Sequence, residues 1–372
     1  MKSNFNGYLR SDGTVGTRNY IGIISSVICS SIITNEISER VQGAIPIVHS
    51  NGCAQLGDDF QVTKNMLVGV ASNPNLYASL LIGLGCETNQ ISGLLKSIPK
   101  NKPLEGIGIQ QMAGGQNTID AGISIASEWS EEAIKEERQH LPLSQLNVGI
   151  VTVDIDEESL KKMTPVINGV INTLLENSVN VIMGLTDTLE PAGDLLAKNA
   201  DDVNLKQRLN NVSNKLNRKR WKENKEHKPK VFSKEEKRLA SYEANLIGSN
   251  KIISLLDYND KPNEKGLHFM KSSRNIVETL SNFASIGCNF SIVLSSRAVL
   301  TSSVAIPCMT IAPEDINATF DQLIDYKIDN SQTDQQVEAL IDKIIYYASG
   351  ENTVLEEYDL GEFSIPHVGT TF

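Results

Sequence analysis

Leu80-Leu81-Ile82-Gly83-Leu84-Gly85-Cys86-Glu87-Thr88-Asn89-Gln90 is an apolar run that ends abruptly in a thiol, a carboxylate and amides. Apolar on both faces, too short for a buried helix and closed by glycines, it reads as a buried strand of a parallel sheet. Three other short apolar runs in the first half behave alike. Tyr20–Val27 releases Ser25, Ser26 and Cys29; Ile45–Val48 releases "HSNGC", His49 to Cys53; Gly106–Gln110 releases Gln110, Gln111, Gly114 and Gly115. Each is followed by a helical pattern, near Ser31–Val41, Gln61–Ala71, Ile91–Ser97 and Asn117–Glu136. Strand–helix alternation predicts parallel strands with crossover helices, and sites in such sheets form beyond the carboxyl ends of the strands. One polar strand end is ordinary loop chemistry. A series of them at one sheet edge predicts a shared site.

The second half restarts the pattern after the charged stretch Ser130–Gln145. Strands are expected near Asn147–Val153, Val179–Leu185, Lys251–Leu256, Phe290–Leu294 and Ile306–Ile311, with long helices over Glu157–Asn177 and Gln335–Ser349. The fold class is α/β: two domains, residues 1–143 and 144–372, mostly parallel, with a cleft at the carboxyl ends of the strands.

Bulk properties narrow the function classes. The chain has 372 residues and a net charge of −11, which disfavours nucleic acid and anionic membranes as whole-surface partners. A small anionic carboxylate remains compatible, because a few arginines in a cleft reverse the local potential. No run approaches the roughly 20 apolar residues of a membrane span. The first residues lack the apolar core of a secretory signal. The five cysteines are odd in number and form no CxxC pair, so a reduced, cytoplasmic protein is expected. Lys206–Arg238 carries thirteen Lys/Arg against four Glu. It reads as a solvated helix and loop, the sharper alternative being a nucleic-acid patch with Trp221 stacking on a base.

Several residues are candidates for chemistry. Arg18, just before the first strand, could grip a carboxylate through paired hydrogen bonds, or form an ordinary salt bridge. His49, Cys53, Cys86 and Glu87 are of the types that ligate transition metals, though a free cysteine is more often a small hydrophobe, as expected for Cys288 and Cys308. Gly114 and Gly115 permit close backbone approach, and the following helix would offer free N–H groups to an anion. Walker and dinucleotide spacings are absent, as are G-x-S-x-G and H-E-x-x-H.

Taken together, "GYLRSDGTVGTRNYIGI", "HSNGCAQLGDD", "NPNLYASLLIGLGCETNQIS" and "IQQMAGGQNTIDAGI" resemble the altronate and galactarate dehydratases, with the large subunit of (2R)-sulfolactate sulfo-lyase as a cousin. Weaker similarity continues through "EEKRLASYEANLIGSNKI", "LLDYNDKPNEKGLHFMKS", "ETLSNFASIGCN" and "YYASGENT". The resemblance implies a hydro-lyase acting on a sugar acid to give a 2-keto-3-deoxy acid, with a divalent metal, Fe(II) first and Mn(II) second. On that template Arg18, Asn19, Gln110, Gly114, Gly115, Thr118 and Arg297 would bind substrate. His49 and Glu87 would be the acid/base pair or metal ligands, with Cys53 and Cys86 beside them. It also implies a separate small subunit, and a homo-oligomer is expected.

Departures sit in the second half. Thr152-Val153-Asp154-Ile155-Asp156 stands for a Cys-Gly-Gly-Ser-Asp motif, Leu185-Thr186-Asp187-Thr188 for Glu-Thr-x-Glu, and Ser295-Ser296-Arg297-Ala298 for a glycine-rich Thr-Thr-Gly-Arg-Gly loop. A different substrate, or a binding or regulatory protein derived from the lyase, is therefore an open alternative. A hydrolase using Cys53 or Cys86 is a further one.

Overall fold

The computed structural model describes residues 3–211, 231–258, 260–273, 275–315 and 321–368. Most of the basic segment, with Trp221, lies outside them.

Two parallel sheets organise the chain. The smaller has four strands in the order Ala44–Ile47, Tyr20–Ser25, Leu76–Gly83 and Leu104–Gly108. Leu76–Gly83 is buried along almost its whole length, as an internal strand covered on both faces must be. Ala44–Ile47 is an edge and only half-buried. The larger sheet has seven strands in the order Ile252–Leu256, Leu267–Lys271, Asn180–Leu185, Asn147–Val153, Phe290–Ser295, Cys308–Pro313 and Tyr326–Ile328. From Asn147–Val153 the chain moves out one way to Asn180–Leu185, and later returns to the other side at Phe290–Ser295. Asn147–Val153 is thus the strand where the order reverses, the place where α/β sheets open a crevice.

The two sheets share a core. Helix Gly57–Ala71 packs against helix Ile276–Ser285, and Ile24, Leu81 and Met66 join Val151, Phe283 and Val293 in one apolar cluster. Asn73, past the end of the first helix, donates to the carbonyls of Ala284 (2.7 Å) and Cys288 (2.8 Å), at the end of the second. The helices therefore run side by side in the same direction. Each returns from the carboxyl to the amino end of its own sheet, so the carboxyl ends of both sheets face the same way.

Three elements differ from the sequence reading. The turn-rich entry and the charged stretch pair instead: Asn4–Leu9 lies antiparallel between Val15–Gly16 and Gln139–Pro142. Pro142 is tolerated because its strand is an edge. Phe5 and Val15 of this small sheet are buried in the core of the larger one. Leu267–Lys271 is an interior strand although its sequence, LHFMK, holds two basic residues; His268 is buried, with Nδ1 2.8 Å from the Ser254 hydroxyl. Tyr326–Ile328 adds a short edge strand.

Candidate active site

At the end of Leu76–Gly83 the chain turns through Gly85, whose φ of 120° suits glycine. Glu87 folds back over this turn and is 3% exposed. Its Oε2 accepts the Gly85 N–H (2.6 Å) and its Oε1 the Ser26 hydroxyl (2.9 Å). A Cβ on Gly83 would strike Glu87 Oε1 and come within 2.7 Å of Ile91 Cδ1, so the glycine makes room for the carboxylate. Thr88 stitches the neighbouring loop on, donating N–H (3.0 Å) and hydroxyl (3.1 Å) to the Cys53 carbonyl. Cys53 is half-buried and Cys86 exposed; all five cysteines are free thiols.

His49 lies under this corner. Its Nδ1 accepts the Asn51 N–H (3.1 Å), which leaves Nε2 to donate to the Ser25 carbonyl (3.1 Å). Both ring nitrogens are engaged, and burial lowers its pKa to about 4, so it is neutral at pH 7 with no lone pair to offer. Among the described residues no group of three or more His, Cys, Asp and Glu side chains is placed to hold a metal ion. The quartet His49, Cys53, Cys86 and Glu87 does not fit a divalent cation: its histidine has no free lone pair, and its side chains are not gathered into one donor set.

Arg18 also differs from expectation. The residue is 4% exposed, and its guanidinium points to the end of the chain rather than to a cleft. Nε and Nη2 grip Glu356 in a fork (2.8 and 2.7 Å), and the other N–H groups reach the carbonyls of Thr17 (2.9 Å), Tyr347 (2.9 Å) and Glu351 (2.8 Å). All five donors are used, so none remains for a substrate carboxylate. Asn19 is likewise internal, bonded to Arg10 (2.7 Å) and to the Ala133 carbonyl (2.8 Å).

The remaining expected residues separate by location. The Gln110 side chain lies over Gly85, where a Cβ would meet its Oε1 at 2.6 Å. Gly114, with φ 132°, precedes helix Gly115–Ala133. Thr118 is fully buried and donates to the Gly114 carbonyl (2.8 Å). These line the same strand ends as Glu87. Arg297 is exposed after Phe290–Ser295, on the other sheet.

A cavity of ≈ 350 Å³ opens at the carboxyl ends of Asn147–Val153 and Asn180–Leu185. Thr152, Asp154, Thr186, Asp187 and Thr188 form its polar wall; Phe232, Leu239 and Ile276 form an apolar one. Asp154 holds a left-handed backbone, φ 43°, of a kind that clusters at functional sites. Its carbonyl and the N–H of Asp156 both engage Ser296 (3.4 and 2.8 Å), which ties this loop to the next strand end.

Helix Lys234–Ala244 closes the cavity. A capping box starts it: Ser233 Oγ accepts the Glu236 N–H (3.1 Å) and Glu236 Oε2 the Ser233 N–H (2.7 Å). Glu236, Leu239 and Glu243 then share one face. The first two line the cavity, while Glu243, 1% exposed, lies behind the wall against the hydroxyls of Thr152, Thr186 and Thr188. Burial pushes its pKa up, against the opposing pull of those hydroxyls. A buried carboxyl with a perturbed pKa beside a cavity is a functional-site signature. Sequence alone did not single out Glu243. Its one signal is position: seven residues after the capping-box glutamate, on the cavity face.

Parallel sheets, a crevice at the order-reversing strand and a buried acid behind a hydroxyl wall define an α/β enzyme. Residues 7–134 match the second domain of D-galactarate dehydratase/altronate hydrolase, and residues 143–371 match the C-terminal region of D-galactarate/altronate dehydratase. The chain belongs to this family, and with it to the lyases. It is 25% identical to altronate dehydratase of Escherichia coli over 388 aligned positions, covering 98% of this chain and 78% of that protein. It is 23% identical to altronate dehydratase of Bacillus subtilis, covering 99% and 78%. It is 26% identical to (2R)-sulfolactate sulfo-lyase subunit beta of Chromohalobacter salexigens, covering 76% and 75%. Among the described residues no helix is long and apolar enough to cross a membrane.

Proposed function

We propose that this chain eliminates water from a sugar acid or related hydroxy-carboxylate, giving a 2-keto-3-deoxy acid, with the chemistry in the cavity behind Asp154 and Thr188. One observation carries the reading. The cavity wall is built from Thr152–Asp154 and Thr186–Thr188, two of the three strand ends where this sequence departs from the dehydratase pattern. The scaffold is the family's, so the change at the wall points to a different substrate within the same chemistry.

Threonine hydroxyls both donate and accept, which suits a polyhydroxy chain. We assign Asp154, one of the cavity carboxylates with Asp187 and Glu236, to take the proton beside the substrate carboxylate; the departing hydroxyl needs an acid. By analogy with the subunit naming of the sulfo-lyase relative, a small partner subunit completes the active assembly.

The test is turnover of a panel of aldonates, aldarates and sulfolactate, with Fe(II) or Mn(II) in the buffer and with the small subunit present. A keto-acid product from one member is expected. No product from any would overturn the reading. Ligand-induced thermal stabilisation without turnover would then favour the second one, a sugar-acid-binding subunit, which the altered cavity wall also suits.

A further inference from the structure

The carboxyl edge of the four-stranded sheet differs in composition from the rest of the chain. Asp, Glu, Lys and Arg make up 21% of the protein. In residues 25–35, 48–57, 83–91 and 108–119, the stretches at the ends of the four strands, the one such residue is Glu87, buried at its corner. Large apolar side chains stand out of this uncharged surface: Ile28 is 44% exposed, Leu56 73% and Ile32 80%. Ile28 and Ile32 lie about one turn apart where the chain enters helix Ser31–Arg40. The Ile28 N–H donates to the Asn51 carbonyl (3.0 Å), which holds the loop carrying Leu56 alongside. Thr88 ties the third loop to that same one through the Cys53 carbonyl. Three loops thus form one connected surface, and the exposed thiols of Cys29 and Cys86 belong to it.

Hydrogen bonding is also incomplete here. Among the described residues eight buried side-chain polar atoms have no partner, and five of them, on Ser31, Thr34, Asn51, Gln55 and Asn89, fall in these same stretches. Depletion of charge together with exposed apolar side chains is the composition of an interface centre rather than of ordinary surface. A small ligand needs a concavity. Ile32 and Leu56 project instead, which suits the face of another polypeptide. The family supplies the occupant. Residues 7–134 match its second domain, and the chain covers 78% of either altronate dehydratase, so those relatives carry a domain besides the two regions matched here.

We propose that this edge is the docking face of the small partner subunit, which lays an uncharged, apolar surface over Ile28, Ile32 and Leu56. The assignment rests on the partner subunit of the lyase reading above. A charge on the facing surface would be desolvated opposite no counter-charge. Association therefore proceeds through apolar contact and depends little on salt. Covering the edge also shields the thiols of Cys29 and Cys86, which the isolated chain leaves open.

Titration calorimetry of the full chain with the small subunit supplied for turnover tests this. Affinity should change less than about threefold between about 0.1 and about 0.5 M NaCl. Ile32→Asp and Leu56→Asp should each weaken binding about tenfold or more. Val203→Asp, at a comparably exposed apolar residue (75%) on helix Val203–Asn210, should leave it unchanged. In the unmodified chain, Ellman's reagent should label Cys29 and Cys86 about tenfold more slowly in the complex than in the free protein. Native affinity in both edge variants, or thiols as reactive in the complex as outside it, overturns the docking face and leaves the partner standing. A dimer of the chain that Ile32→Asp separates, with the small subunit still bound, overturns it in favour of a second copy. No binding by the native chain overturns docking face and partner together; turnover by the chain alone then keeps the lyase reading.

Discussion

Arg18→Met separates two roles that the sequence could not. The substitution keeps an apolar stem and removes the guanidinium from a side chain that is 5% exposed. Glu356, whose side chain is 13% exposed, loses both arms of its fork. It keeps the Tyr20 hydroxyl (3.2 Å) and the N–H (2.9 Å) and hydroxyl (3.1 Å) of Thr353. The carbonyls of Thr17, Tyr347 and Glu351 lose a donor. Breaking a buried pair from one side costs about 3–5 kcal/mol, since a charge is left uncompensated. Partial wetting of the carbonyls offsets little, so about 4 kcal/mol is expected. Urea unfolding followed by far-UV circular dichroism measures it, comparing midpoints at constant slope. The double variant Arg18→Met/Glu356→Leu should recover much of the loss, because removing both charges removes the uncompensated one. A stability change under about 1 kcal/mol, with a raised KM for the hydroxy acid, would refute the junction role and restore Arg18 as a substrate clamp.

Other consequences are as direct. His49 is held neutral with its pKa lowered from 6.5 to about 4, so below pH 6.5 the unfolded chain gains a proton that the fold does not. Stability should fall from pH 6.5 to about 4 by about 3 kcal/mol on this account, and His49→Gln should flatten that slope in pH-dependent urea melts; an unchanged slope would contradict the assignment. Gly83→Ala should push Glu87 off its Gly85 and Ser26 donors and cost about 1–3 kcal/mol, seen as a lower thermal midpoint; a neutral effect would mean the corner is looser than described. Ellman's reagent should modify the exposed Cys29 and Cys86 rapidly in the native protein. Cys288 and Cys308, with thiols pushed up by burial (Cys308 to about 12), should react only on unfolding. Fast labelling of either buried thiol would contradict the shared core.

The parallel strands were legible because each is a short apolar run with punctuation at its end. The family followed from long first-half motifs. What escaped was set by partners far along the chain. The entry turn and the charged stretch look like loops until Asn4–Leu9 meets Gln139–Pro142. Arg18 looks like a clamp or a surface charge until its partner appears 338 residues later. His49 has ligand chemistry by type, but the carbonyl of Ser25 and the N–H of Asn51 consume both nitrogens. Glu243 is one acid in a segment full of Glu and Lys, and only the threonines across the helix face distinguish it.

The Arg18–Glu356 fork also bears on how the chain is made. Arg18 lies between Val15–Gly16 and Tyr20–Ser25, yet three of its acceptors are residues 347, 351 and 356. Asn6 donates to Ser349 (3.1 Å), and Thr17 to Asn289 (2.6 Å), across comparable separations. During synthesis an arginine destined for burial waits in solvent while some three hundred residues emerge after it. The four-stranded sheet can form early from local pieces, but its seam stays open until the late helix arrives. Ribosome-release timing, rather than core packing alone, then decides when the molecule becomes resistant to proteolysis.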